Sequence, residues 1–314
     1  MGESSRDVVE RMKRPSRVVE FLTRLVKEKP LGAIGGIITL LLFLTGIFAE
    51  FLAPTGIFEF NTAATYQAPS AQYLLGTDNL GRDMLSRIIY GARISLIVGL
   101  VGTTISIVIS MVIGTLCGYI GGTLDIIVQR VVDAWMCFPG IVLLILLMGL
   151  FGSGLWQVVF ALGLLYGIAG SRVVRSAVIG IRENVYVDAA VAIGCPTRKL
   201  LMRHILPNIM APIIILFTTR MPAIILDEAA LSFLGMGVPP PTPSWGGMLS
   251  VDSRRFMFRA PWMAIWPGLA LAIVVYGVNM FGDAVRDILD PRLRGGIGRY
   301  GGVKVKSKVK SQNK

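Results

Sequence analysis

Six long, mainly apolar runs recur along the 314 residues: 31–52, 94–119, 134–151, 155–173, 209–234 and 263–281. Each is close to the ~20 residues that an α-helix needs to cross a hydrocarbon layer about 30 Å thick. Lipid offers a backbone amide no partner, so a spanning segment has to satisfy its own hydrogen bonds, and a helix does so residue by residue. The expected fold class is therefore all-α, a polytopic membrane protein with six transmembrane helices. A soluble protein with a large apolar core is excluded by a composition that is 54% hydrophobic and only 16% charged. The runs divide the chain into a charged segment (1–30), a first span with a polar excursion (31–93), a core of five spans (94–292) and a basic tail (293–314). The Gly/Lys-rich tail is expected to be disordered.

Small residues mark where spans are expected to pack closely. Gly32 and Gly36 have small-xxx-small spacing in the first run. The second run carries Gly99, Gly102, Gly114 and Gly118, and the fourth Gly163 and Gly167. A short break is expected at 121–133, ahead of a third span with Pro139 near its start. Pro212 and Pro222 predict a kinked or broken fifth span.

A polar, basic interruption inside the core lies at 183–207. Asn184 has the chemistry to cap a short helix, because its side-chain oxygen accepts a first-turn amide. Val185, Ala189 and Ala192 then share one face. Ala189, Ala190 and Ala192 are small, which lets another protein surface approach the backbone. Gly194 is a natural stop, since glycine alone takes the left-handed helix-ending conformation freely, and Pro196 prevents simple continuation. Thr197 can cap a second helix that runs through Leu200 and Leu201 into the membrane. His204 is the sole histidine, and without neighbouring ligands or a catalytic partner it reads as a contact or capping residue.

Two further polar stretches stand out. In 75–93, Thr77 or Asp78 starts a turn and Met84, Leu85, Ile88 and Ile89 fall on one helical side. Asp78, Arg82 and Asp83 have no nucleophile or metal-ligand set beside them, so they read as an ion-paired lip at the membrane surface. Residues 231–249 are rich in proline and glycine, and Trp245 suits a membrane interface. Arg220 and Asp227 fall within or near the fifth span, where charge is costly. Seven positions apart, they share a face. Three readings stay open: a structural ion pair, a lining of a path through the membrane, or Arg220 snorkelling to an interface.

Charge supplies orientation. With the amino terminus inside, 24 of the 31 Lys and Arg fall in inner segments and six in outer ones, Arg220 being the remainder. This asymmetry predicts that both termini are cytoplasmic. It also explains the net charge of +12 without a nucleic-acid partner. The charged leader is too long for a cleaved signal peptide. Cys117, Cys137 and Cys195 form neither a disulfide framework nor a zinc set. Gly296 to Gly301 fits a dinucleotide Gly-x-Gly-x-x-Gly pattern but follows no expected strand, and the phosphate-cradling Gly-x-x-x-x-Gly-Lys-Ser/Thr motif is missing from the sequence.

The series Asp188-Ala189-Ala190, Gly194 and Leu206-Pro207, set between two spans, resembles the Glu-Ala-Ala loop of bacterial and archaeal ABC importer permeases. Asp replaces the usual Glu, and His204 stands where many relatives have Ile. Residues 75–93, 231–249 and 282–292 resemble the oligopeptide/dipeptide/nickel branch of those permeases, in the subunit with an amino-terminal extension. The likeness covers roughly 31–292. It implies a type I ABC importer permease fold with a cytoplasmic coupling helix, and a subunit that is not itself an enzyme and needs no cofactor. The implied partners are a second homologous permease, two cytoplasmic ATPase subunits, an external substrate-binding protein and the lipid bilayer. Peptides are the implied substrates, with nickel chelates or oligosaccharides as alternatives within the family. A stand-alone secondary transporter or channel is the reading from a different class, and it would rest on Arg220 with Asp227.

The topology is testable by cysteine labelling in a background lacking the three native cysteines. A membrane-impermeant reagent added to sealed cells should modify cysteines placed at 70 or 253 and spare those at 5 and 307. Labelling at 5 or 307 refutes the orientation.

Overall fold

The computed structural model describes residues 17–250, 255–256 and 258–289, with only the backbone described at 17 and 18. The segment 1–16, position 253, the Gly296–Gly301 pattern and the tail lie outside the described residues. The regular structure of the described residues is helical, with a single isolated bridge between Thr77 and Asp83. Its helices are α1 (Arg17–Glu28), α2 (Pro30–Ile47), α3 (Ala49–Leu52), α4 (Met84–Ile97), α5 (Thr103–Ile120), α6 (Gly122–Met136), α7 (Gly140–Phe151), α8 (Leu155–Arg182), α9 (Val185–Ala192), α10 (Thr197–Leu200), α11 (Met210–Phe233), α12 (Trp245–Met248) and α13 (Trp262–Leu289). Among the described residues, five continuous stretches are long and apolar enough to cross a membrane: Pro30–Ile47, Met84–Ile120, Leu155–Arg182, Thr197–Phe233 and Trp262–Leu289. A sixth crossing requires α6 and α7 taken together.

That pair corrects the expected third span. Residues 134–151 are not one helix. Ala134 to Met136 end α6, and α7 departs from it at 96°. Pro139 has no amide to donate, and its ring pushes Phe138 away from helical geometry, so the chain turns there. At 12 residues α7 is about 18 Å long, too short to cross alone. The expected break at 121–133 is instead α6 itself.

The second span also starts earlier than expected. Asp83 accepts the Ser86 amide at 2.8 Å and so caps α4. From Met84 the helix continues through a π turn at Val98–Gly102 into α5. The wide turn lies where α11 comes close: a Cβ on Gly99 would sit 2.9 Å from Ile225. In α11, Pro212 occupies the first turn, where a missing amide costs nothing, and the helix runs unbroken through the buried Pro222. Pro222 leaves the Thr218 carbonyl without its helical donor. Gly282 of α13 comes against that carbonyl, within 2.9 Å of where a Cβ would lie.

The most extensive helix pair is α5 with α8. A Cβ on Gly114 would lie 2.6 Å from the Ser171 carbonyl, and one on Gly118 2.9 Å from that of Arg175. In return, a Cβ on Gly163 would meet Ile105 at 2.6 Å and one on Gly167 would meet Ile109 at 2.7 Å. Ser110 donates to the Gly167 carbonyl across the seam at 2.8 Å. A second seam joins α2 to α13, with Gly32 against Ala284 and Gly36 against Phe281.

Alternating crossings sort the connections onto two ends. Asp78, Arg87, Ser153 and the 235–250 loop border one cavity at one end. The other end gathers α9, Tyr119 and Ile181.

Gly167→Ala should destabilise the protein by about 1–3 kcal/mol, because the added methyl overpacks the seam. Gly180→Ala lies on the same helix with open space around it and should be neutral or stabilising by up to about 1 kcal/mol. Thermal unfolding in detergent reads both; equal shifts refute the seam.

Candidate functional site

The helix α9 is fixed to the bundle by one face. Val187 and Ala190 are buried there against Leu200, with Tyr119, Ile181 and Cys195 around them. Its end is closed by a Schellman pair of hydrogen bonds. Cys195 donates to the Ala190 carbonyl at 3.0 Å and Gly194 to that of Val191 at 2.9 Å. Gly194 takes φ of +76°, the left-handed value expected of it. The start differs from the expectation. Asn184 makes no cap to α9; its amide donates back to the Gly180 and Ile181 carbonyls at 2.9 and 3.0 Å and closes the end of α8. An amide side chain carries a donor as well as an acceptor, and here the donor reaches the carbonyls of the last turn of α8. Thr197 likewise starts α10 without a side-chain cap.

The predicted residues fall into two sets. Asp188, Ala189 and Gly194 are exposed on the outward side of α9, beside Val185 at 82% and Ile193 at 85% exposure. Ala190 is turned inward and buried, so it is not part of a surface another protein can reach. His204 is half-buried in a π turn at Leu201–Ile205. Its carbonyl accepts from Asn208 at 2.6 Å. Leu206 packs beside Ile205 and Ile209, and Pro207 is exposed. Two residues that the sequence did not single out join these parts: Asn208 also donates to the Tyr186 hydroxyl at 3.2 Å and ties the base of α11 to α9.

A second polar group lies within the spans. Arg220 and Asp227 do not form an ion pair with each other. Tyr166 of α8 stands between them: its hydroxyl donates to Asp227 at 2.7 Å, and Arg220 sits over its ring at 5.2 Å from the centroid. Of the three readings left open, the direct ion pair gives way to a contact bridged by Tyr166. Seven residues span about 10 Å along a helix, too far for the two side chains to meet without an intermediary. Both charges remain half-exposed. A buried tyrosine hydroxyl needs a partner, and that requirement was the one signal Tyr166 offered.

Ion pairs fasten α6 to α8. Arg175 meets Asp125 in a two-pronged contact at 2.5 Å, and Arg172 pairs with Asp133. Arg175 and Arg172 lie about two and about three turns above the end of α8 that leads into α9.

Glycine-packed spans, a bent pair and a helix clamped outside one end define the class: a polytopic membrane transport subunit. The chain belongs to the family described as binding-protein-dependent transport system inner membrane component, whose pattern matches residues 110–295. It is 40% identical over 269 residues to the dipeptide transport system permease of Alkalihalophilus pseudofirmus, covering 86% of this chain and 88% of that protein. The di/tripeptide transport system permease of Pseudomonas aeruginosa is 38% identical, with 89% and 94% covered. The glutathione transport system permease of Pectobacterium atrosepticum is 37% identical, with 88% and 91% covered. Among solved structures, an inward-facing MetNI methionine ABC transporter chain superposes with a TM-score of 0.54 at 18% identity, over 66% of this chain and 98% of that one. The protein is thus an ABC importer permease of the peptide branch, all-α and multi-pass.

Tyr166→Phe should cost about 1–3 kcal/mol, because it strips Asp227 of its hydrogen bond. The exchange of Arg220→Asp with Asp227→Arg should not restore stability, since the partner is Tyr166. Melting of the purified protein checks both; recovery in the double variant restores the direct pair.

Proposed function

We propose that this chain forms one half of the translocation path of a peptide importer and is driven through α9 by ATPase subunits on the cytoplasmic side. The observation that carries the reading is the outward face of α9. Val185, Ala189 and Ile193 stand apolar and exposed on a helix held rigidly by Val187, Ala190 and Leu200. Exposed apolar side chains clustered at a polar end mark a protein contact. Asp188 supplies a charge at the same place, and His204, Leu206 and Pro207 support it from the base of α11.

In this reading a second homologous permease completes the path and an external binding protein delivers the peptide. Both termini lie in the cytoplasm of a cell whose inner membrane holds the complex. ATP closes the ATPase pair, and the docked α9 moves with it. Because α9 is joined to α8 and α11 by short packed contacts, the displacement passes to the spans as a rigid-body shift. Arg220 and Asp227 belong to the path. Half-exposed charges within spans face a watery route or another subunit rather than lipid. The bridge through Tyr166 also weighs against a stand-alone ion-coupled carrier, because Asp227 is already engaged.

Ala189→Arg should leave the chain folded and assembled in the membrane yet reduce peptide uptake by at least about tenfold, the loss of roughly 1.4 kcal/mol of docking. Ala190→Arg should instead prevent the chain from accumulating, as its side chain is buried. Uptake and ATPase rates of the reconstituted complex measure the first, and membrane abundance the second. Wild-type coupling in Ala189→Arg refutes the reading.

A further inference from the structure

At the end of the bundle opposite α9, a cavity of about 250 Å³ lies between the start of α4 and the 235–250 loop. Its wall includes Arg82, Arg87, Asn79, Ser153, Ser232 and Thr242. Asp78, buried at 3% exposure, organises the cationic side. One of its oxygens accepts the Leu80 and Arg82 amides at 2.8 and 3.0 Å. The other holds Arg82 Nε at 2.6 Å and lies 3.5 Å from Arg87 Nε. One carboxylate therefore takes the Nε of two guanidiniums. It leaves their terminal nitrogens for something else, and Arg87 Nη1 is buried with no hydrogen-bond partner among the described residues.

Among the described residues, the neighbouring acids do not supply that partner. Asp83 is occupied by the Ser86 amide and hydroxyl. Glu228 is fully buried behind Ser232, whose hydroxyl it accepts at 2.7 Å, and lies outside the cavity lining. Among the described lining residues, two fixed positive charges face one negative, which leaves a net cation in that part of the wall. A buried guanidinium nitrogen without a partner is costly, and a planar bidentate anion fits its fork. The Ser153 and Thr242 hydroxyls, which also line the cavity, add neutral donors. The volume admits a small group or the end of a chain but not a folded segment.

We propose that this cavity is a carboxylate-binding subsite, with Arg87 and Arg82 as its cationic donors, that receives the terminal carboxylate of a peptide entering the permease. The proposal rests on the peptide-import reading above and adds a contact to it. The subsite gives the peptide a defined leading end before it reaches Arg220 and Tyr166.

The test uses the complete complex, with its partner permease and ATPases, in nanodiscs. Phenylglyoxal labels accessible guanidiniums, and mass spectrometry reports Arg82 and Arg87 separately. Tri-alanine at about ten times its dissociation constant should slow their labelling about tenfold, as simple occupancy requires. Its carboxamide, which lacks the anion, should leave labelling unchanged. Acetate should protect both arginines at higher concentration, because the carboxylate is the recognised group. Equal protection by tri-alanine and its amide overturns the proposal, as does no protection by either. Protection by the binding protein alone, without peptide, also overturns it and makes the cavity a docking surface. ATP-driven tri-alanine uptake by the same preparation reports separately on the import reading: uptake without protection sinks the subsite alone, and protection without uptake sinks the import reading.

Discussion

The contact on which the architecture depends is the approach of α5 to α8 at the distance of their backbones. Apolar side chains gain little by leaving lipid for another apolar surface, so spans associate through close packing and polar contacts. Gly114 and Gly118 on one helix, and Gly163 and Gly167 on the other, remove the side chains that would hold the two axes apart. Ser110 then reaches the Gly167 carbonyl directly. With α8 set against α5, its far end has a fixed position. The Asp125–Arg175 and Asp133–Arg172 pairs fasten α6 to that end, and Asn184 closes it. Helix α9 starts from a rigid base because everything above it is held.

The chain separates its chemistry by depth. Near one end, Asp78 gathers two arginines under a loop rich in proline and glycine. Within the spans, Tyr166 holds an acid by its hydroxyl and a base by its ring. Beyond the other end, α9 offers apolar side chains supported from behind. Each station is joined to the next by α8, α11 or the α4–α5 helix, so a shift at one is carried along a stiff element rather than through a loop.

Much of this was legible in the residues. The apolar runs give five of the crossings, because a ~20-residue apolar stretch has few other fates. Gly194 announces the end of α9 by the conformation it alone takes freely, and the paired glycines announce a close seam without saying which helix they meet. Three features were hidden. The 96° bend between α6 and α7 sits at Pro139, which was visible, but an apolar run does not say whether it crosses straight or folded. Asn184 has both a donor and an acceptor, and the choice between capping forward and closing backward depends on which carbonyls lie free. The intermediary between Arg220 and Asp227 is 61 residues away from Asp227 in the chain, a distance at which spacing arguments are silent.

The π turn at Val98–Gly102 has a consequence for how this span tolerates change. Such a turn holds one residue more than an α turn, and each residue rotates a helix by about 100°. The stripe of α4 that carries Arg87 and the stripe of α5 that carries Gly114 are therefore out of phase, and the turn absorbs the difference. Deleting any one residue there would restore a regular helix and leave Gly114 and Gly118 against α8, whereas deleting one in the regular turns of α5 before Gly114 would swing both glycines about 100° off α8, although no contact residue had been altered. In this span, the number of residues between two faces is as much a part of the fold as their identity.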